Sequence, residues 1–248
     1  MKLFVCIFVL AHACAIYGKV LPDTLSEFLC HRSDPHLNEC LLKQADKILP
    51  LLANGVPSAK IDPIDPLNVK FMTTEGELEN IKIKMIMKNI TLYGHATPKF
   101  NKIKVDPESM SGEVAFRIPR MHMTTEYYST GRLFVIPLES SAYFDGDFND
   151  VDIGMTFRLK EVKRNGNKYF TVEKLTMKMY VESAKIKLTS VDPAQQSAVN
   201  VIQNFFNENN RLVLDTVNPL VIAHGPEFYK HIIDRFLRMV PSEELLPQ

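Results

Sequence analysis

From about residue 67 to residue 191, apolar side chains recur at every second position. This is the repeat of a strand with one face buried and the other in water. Ile81, Ile83, Met85 and Met87 alternate with Lys82, Lys84 and Lys88, and Met177, Met179 and Val181 with Lys178, Tyr180 and Glu182. Past Lys88 the apolar parity switches to Ile90 and Leu92, which predicts a β-bulge near Asn89. Further strands centre on 99–105, 113–128, 132–138, 151–163 and 168–191. Asn165-Gly166, between the last two, predicts a hairpin turn. Strands this long, polar on one face, predict a large curved antiparallel sheet.

Helical spacing brackets the sheet. Asp34-Pro35 offers an N-cap and a first-turn proline, and Leu37, Leu41, Ala45, Ile48 and Leu52 follow at intervals of three or four. Pro50 should bend or shorten this helix, and Asn54-Gly55 should end it. Residues 61–66 (Ile-Asp-Pro-Ile-Asp-Pro) read as an extended connector. Asp192-Pro193 repeats the start chemistry, after which Val199, Ile202, Phe206, Val213, Val217 and Leu220 hold helical spacing. The stripe resumes at Phe228, Ile232, Phe236 and Val240, with a kink or break predicted at Pro219 and Gly225-Pro226. No repeat or low-complexity linker divides the chain. The fold class is therefore α+β: residues 19–248 form one domain, a highly curved sheet wrapped around a long apolar C-terminal helix.

Composition places this domain outside the cell. Lys2, the apolar run Leu3–Leu10 and the small residues up to Gly18 have the order of a secretory signal, with cleavage expected after Gly18. No later run of apolar residues is long enough to span a membrane. Of four cysteines, Cys6 and Cys14 leave with the signal. Cys30 and Cys40 remain as an even pair in an oxidising compartment, which predicts one disulfide contributing ~2–3 kcal/mol. Asn89-Ile90-Thr91 is a glycosylation sequon. With 29 basic and 29 acidic residues the chain has no global reason to bind nucleic acid. The lysine faces read as solvated sheet surface.

Catalytic motifs are missing. There is no GxSxG nucleophile elbow, GxGxxG, P-loop, HExxH or CxxC. Residues 145–152 are acid-rich but have Asp150 where a calcium loop needs glycine, so they read as an acidic surface turn. No histidine pair has metal-ligand spacing, and neither a metal nor a cofactor is expected. What the pattern does offer is a soft interior. Met85, Met87, Met121, Met123, Met155, Met177 and Met179 fall on predicted inward positions with Ile83, Phe157, Phe205, Phe206 and Phe228. Methionine adapts to irregular space and to varied partners. His224 continues the helical stripe and is a candidate to bond a ligand's polar end, although such a histidine is more often a satisfied core group. Periodicity alone favours a packed core over a pocket.

The chain resembles the takeout/juvenile-hormone-binding protein family of insects. The resemblance rests on Cys30, Leu37–Leu41, Ala45, the run Pro50–Pro57 and Ile61–Leu67. It continues in Phe116–Pro119, Tyr128, Gly131, Ile136-Pro137 and the ending Val240–Leu246. It implies one sheet curled around a long helix, a hydrophobic tunnel, no catalysis, and carriage of juvenile hormone or another long apolar molecule in extracellular fluid. This reverses the preference for a packed core. With only Cys30 and Cys40 remaining, a second disulfide is missing, and this favours the takeout-like, clock-controlled branch over the hormone carriers proper. Ser140-Ser141-Ala142 replaces a glycine-bearing turn, and the family's tryptophan is absent. The expected protein is a monomeric carrier of a small apolar ligand, the Met, Phe, Ile83 and His224 positions above being its tunnel candidates. The alternative is an interaction protein acting through a cell-surface receptor or a lipid surface. A hydrolase of hormone esters is disfavoured by the missing nucleophile elbow.

Overall fold

A computed structural model describes residues 20–248; the expected signal segment, with Cys6 and Cys14, lies outside them. The elements in chain order are α1 (Asp23–Ser26), α2 (Leu37–Leu52), β1 (Leu67–Leu78), β2 (Ile81–Tyr93), β3 (Lys99–Asp106), β4 (Ser111–Leu133), β5 (Ile136–Pro137), β6 (Ser140–Arg164), β7 (Asn167–Ser190), α3 (Gln196–Glu208), α4 (Asn210–Leu237) and α5 (Ser242–Leu245). Among the described residues the strands form one seven-stranded antiparallel sheet in the order β1-β2-β4-β6-β7. The long β4 carries β2 and then β3 end to end along one edge and β6 along the other. The sheet curls around α3 and α4 as a half-barrel.

Most sequence expectations hold. Asn89 sits in a bulge between Lys88 and Thr91 with φ 51° and is exposed. Asn165 and Gly166 both take positive φ in the β6–β7 hairpin, the conformation that a tight hairpin turn demands. Cys30 is bonded to Cys40. Asp192 accepts a hydrogen bond from the Ala194 N–H at the start of the helical region.

Four details differ. Asp34 caps a turn by accepting from the His36 N–H, and α2 starts only at Leu37. Residues 132–138 are not a strand of their own: β4 runs on to Leu133, turns at Phe134 (φ 53°) and pairs back through the short β5. The acidic stretch 145–152 is not a turn but the middle of β6, its alternation masked by the density of carboxylates. Pro219 and Pro226 lie inside a continuous α4, and the interruption falls at Asn209 instead. A helix tolerates proline where neighbouring structure holds it, and here the curled sheet does.

The exposed edge of β7 needs partners, because an open strand edge leaves alternate N–H and C=O groups unpaired. Side-chain amides on the helices supply them. The N–H groups of Ala184, Ile186, Leu188 and Ser190 donate to Asn210 (3.0 Å), Asn207 (2.9 Å), Gln203 (2.7 Å) and Gln196 (2.8 Å). Asn210 and Asn207 return a bond to the carbonyls of Ala184 and Ile186, and Gln196 to that of Leu188. On the β1 edge, the His224 ring bonds the Glu75 carbonyl and Leu220 lies over Gly76. The two helices thus span the gap between the sheet's edges.

Asn207→Leu should therefore destabilise the fold by ~1–3 kcal/mol, since it strands two backbone groups of Ile186. The exposed control Asn204→Leu should stay within ~0.5 kcal/mol in the same urea titration.

His95 follows β2, its two ring nitrogens enclosed and, among the described residues, without partners. Burial pushes its pKa below the ordinary histidine value, opposed by the nearby Asp65 carboxylate. The unfolded chain binds that proton more readily than the folded one. Stability should fall as pH drops below ~6.5. In His95→Phe that part of the acid slope of the melting temperature should vanish.

Candidate ligand cavity

Inside the curl, between the sheet and the helices, lies a cavity of about 330 Å³. That is at the lower end of the ~300–1,000 Å³ range of small-molecule sites. β2 contributes Ile81, Ile83, Met85 and Met87 to its wall, β4 Met123 and Leu133, and β7 Met179, Val181, Ile186 and Leu188. α3 closes it with Ile202 and Phe206, and α4 with Val213, Leu214, Val217 and Val221. One wall is built on a glycine. Phe144 and Phe148 of β6 stack at 6.4 Å over Gly146, where an added Cβ would come within 2.6 Å of the Phe144 ring.

Of the positions singled out in the sequence, Ile83, Met85, Met87, Met123, Met179 and Phe206 line this cavity. Met121, Met155, Phe157 and Met177 do not line it; they pack in the core cluster that adjoins it through Met179, Val181 and Leu214. Phe205 packs edge-on against Phe134, and Phe228 against Tyr229. His224 is exposed and committed to the Glu75 carbonyl, so it is neither a core group nor part of the cavity. The division follows position along the strands, the cavity ending short of Met121 on β4, of Met155 and Phe157 on β6 and of Met177 on β7, and a crease also crosses three strands. Inward positions change parity at one level, between Ile118 and Met121, Phe148 and Val151, and Val181 and Ala184, where Asp150 takes φ 48°. The pairing register is unbroken across it. A simple two-residue period cannot follow that change.

The polar groups of the cavity fall into two kinds. Thr125 gives its hydroxyl proton to the Lys88 carbonyl (2.9 Å), beside the Asn89 bulge. Ser129 gives its proton to the Leu138 carbonyl (2.5 Å) at the β5–β6 corner. Arg211 is held by the Val181 carbonyl (2.7 Å) and Asp215 (2.6 Å), over the Tyr180 ring. These groups complete the backbone or stay at the rim. Tyr127 and Asn218 differ. Tyr127 accepts a bond from Ser140 (3.1 Å) and, among the described residues, no acceptor meets its own proton. Burial raises the Tyr127 pKa, with the Ser140 bond opposing, so the phenol stays protonated as a donor. Asn218 lines the cavity with no partner for its amide among the described residues. Neither was singled out in the sequence. Tyr127 sits in the alternation Met121-Met123-Thr125-Tyr127-Ser129, where polar members hide an inward face.

The wall is apolar and the polar contacts few, which is the make-up of a site for a weakly polar molecule. Among the described residues no three His, Cys, Asp or Glu side chains converge to hold a metal. Residues 3–247 match the family of haemolymph juvenile hormone binding proteins.

The chain belongs to that family.

Among curated relatives of this juvenile hormone binding protein family member is the circadian clock-controlled protein daywake of Drosophila melanogaster. It is 25% identical over 189 residues, covering 73% of this chain and 67% of the relative. The daywake protein of Drosophila yakuba is 21% identical over 216 residues, covering 83% and 82%. The crystal structure of Takeout 1 from Epiphyas postvittana superposes with a TM-score of 0.68 at 19% identity, covering 89% of this chain and 99% of that one. That likeness establishes the curled sheet with C-terminal helices.

Met85→Asp would put a carboxylate into the apolar wall. The affinity of the environment-sensitive dye N-phenyl-1-naphthylamine should drop about tenfold or more. The half-buried position should keep the variant folded by circular dichroism.

Proposed function

We propose that this protein is a secreted, monomeric carrier that reversibly holds a long, weakly polar ligand in the cavity. Juvenile-hormone-like terpenoids, fatty acid derivatives and quinones are the ligand classes that fit. The observation that carries this reading is the pairing of an apolar wall with two polar groups that keep bonding capacity to spare, the Tyr127 hydroxyl proton and the Asn218 amide. Each 100 Å² of ligand surface buried contributes about 2.5 kcal/mol. The Tyr127 hydroxyl and the Asn218 amide orient the oxygen-bearing end, which would otherwise lose its bonds to water. Nothing in the wall is arranged as a nucleophile with an adjacent base, so the ligand leaves unchanged.

Supporting features lie outside the cavity. The Cys30–Cys40 bond suits an oxidising compartment, in keeping with a leader over residues 1–18 and one domain over 19–248. Asn89 is exposed on its bulge, ready for a glycan. The likeness to clock-controlled relatives points to an output tied to daily rhythm or feeding.

The test is to express the mature protein in insect cells, extract it with organic solvent and identify the released molecules by mass spectrometry. A stoichiometric apolar compound is expected, with its retention reduced in Tyr127→Phe. A protein that yields no such compound, and gains no thermal stability from juvenile hormone, fatty acids or quinones, would point to a receptor-directed role instead.

A further inference from the structure

The outer face of the curled sheet carries a groove of about 320 Å³. Two cross-strand rows make its floor. Thr124, Asp145 and Lys187 are register partners along one row, and Glu126, Tyr143 and Thr189 along the next. Asn89 borders the groove at the β2 side. On β2, Lys88 pairs with Glu126 and Thr91 with Thr124, so the bulge sets Asn89 between the two rows. Its φ of 51° is a conformation that asparagine tolerates better than most residues. The sequon of this chain therefore opens onto a built depression.

The chemistry of the groove is that of a sugar site. The Tyr143 ring is 53% exposed. The negative face of such a ring attracts the C–H groups of a pyranose. Charged groups surround it without being spent on one another. Asp145 and Lys187 are register partners that make no ion pair, and Asp145 reaches only the His122 ring, at 4.0 Å. Among the described residues the Glu126 carboxylate has no bonding partner at all. Free carboxylate acceptors and a free ammonium donor around one aromatic face suit a ring of hydroxyls, each of which both donates and accepts. Thr125 and Phe144 border both this groove and the cavity, so a sugar seated here lies against the outside of the cavity wall.

We propose that the groove is the seat of the first sugar of a glycan carried on Asn89. The inference rests on the reading of Asn89 as a glycan acceptor given above. In the attachment step, the Asn89 amide nitrogen bonds to the anomeric carbon of a lipid-diphosphate-linked oligosaccharide. The lipid diphosphate leaves with the bonding pair, and the amide gives up one proton. Once tethered, the sugar faces the groove at an effective concentration on the order of mM or more, so weak contacts are enough to hold it.

The experiment is a melting-temperature cycle on the protein secreted from insect cells, with the glycan at Asn89 read by intact mass. The bare reference is Asn89→Asp, because aspartate also tolerates the left-handed conformation. The glycosylated wild type should melt about 2–4 °C above it. Trimming the glycan to one sugar with an endoglycosidase should keep most of that gain. Tyr143→Ala should abolish the difference between glycosylated and bare forms, and Glu126→Gln should reduce it by roughly half. Tyr128→Ala, exposed on the same face but outside the groove, should leave it intact. If the glycan is attached but gives no gain, or a gain that Tyr143→Ala and Glu126→Gln leave unchanged, the seat is refuted while Asn89 remains an acceptor. If intact mass shows Asn89 unmodified, the acceptor reading fails and the seat with it. The affinity of the dye for the cavity, measured on the same samples, reports on the carrier reading separately.

Discussion

A curled sheet that does not close on itself must do something with its two edges, and here helix side chains do it. The β7 edge presents alternate backbone groups from Ala184 to Ser190, and Asn210, Asn207, Gln203 and Gln196 meet them like a substitute strand. The match is one of spacing. Two residues along a strand advance about 6.8 Å, and four along a helix about 6 Å. Amides three or four residues apart, as Gln203, Asn207 and Asn210 are, can therefore keep step with every second strand residue for a short distance, with Gln196 two turns earlier and the helical break at Asn209 within that run. Held at the edge in this way, α3 and α4 cannot settle onto the sheet. The space between helices and sheet follows from that restraint.

A space lined by backbone-bearing strands also has to stay satisfied without water. The inward hydroxyls of Thr125 and Ser129 look out of place in an apolar wall until their acceptors are named: the Lys88 carbonyl beside the bulge and the Leu138 carbonyl at the corner. They are consequences of the sheet's irregularities. Once they are set aside, the chemistry available to a guest reduces to Tyr127 and Asn218. That small number is what makes the site selective for weakly polar molecules, because every further polar group on a guest would be buried unpaired.

Much of this architecture can be read from the sequence. The strand period of residues 81–92, the bulge at Asn89, the Asn165-Gly166 hairpin and the Cys30–Cys40 bond all rest on local chemistry, and local chemistry survives folding. Half of the cavity wall, including Met85, Met87 and Phe206, was likewise visible as inward apolar positions. What was not visible is non-local. The crease through Asp150 shifts parity in three strands together, and the cavity ends short of Met155, Phe157 and Met177, which keep the inward parity of their strands. The drift of a 28-residue helix against its surroundings carries His224 to the surface. Phe144 and Phe148 were hidden because the residues between and beside them, Asp145, Asp147 and Asp150, gave the segment the look of a surface turn.

That last segment has a consequence for how the chain finds its pairing. In β6, cavity-facing Phe144, Gly146 and Phe148 interleave one by one with outward Asp145, Asp147 and Asn149, and on the outer face the His122 ring of β4 meets Asp147 at 3.1 Å with Arg120 of β4 at 4.0 Å. A slip of one residue would exchange the two sets completely, sending two carboxylates into an apolar interior and two phenylalanine rings into water. Burying even one unpaired carboxylate costs several kcal/mol. Misregistered pairings of the sheet's longest strand are thus expelled by the carboxylates themselves. The acidic residues that conceal the strand from a reader of the sequence are the ones that fix its alignment in the folding chain.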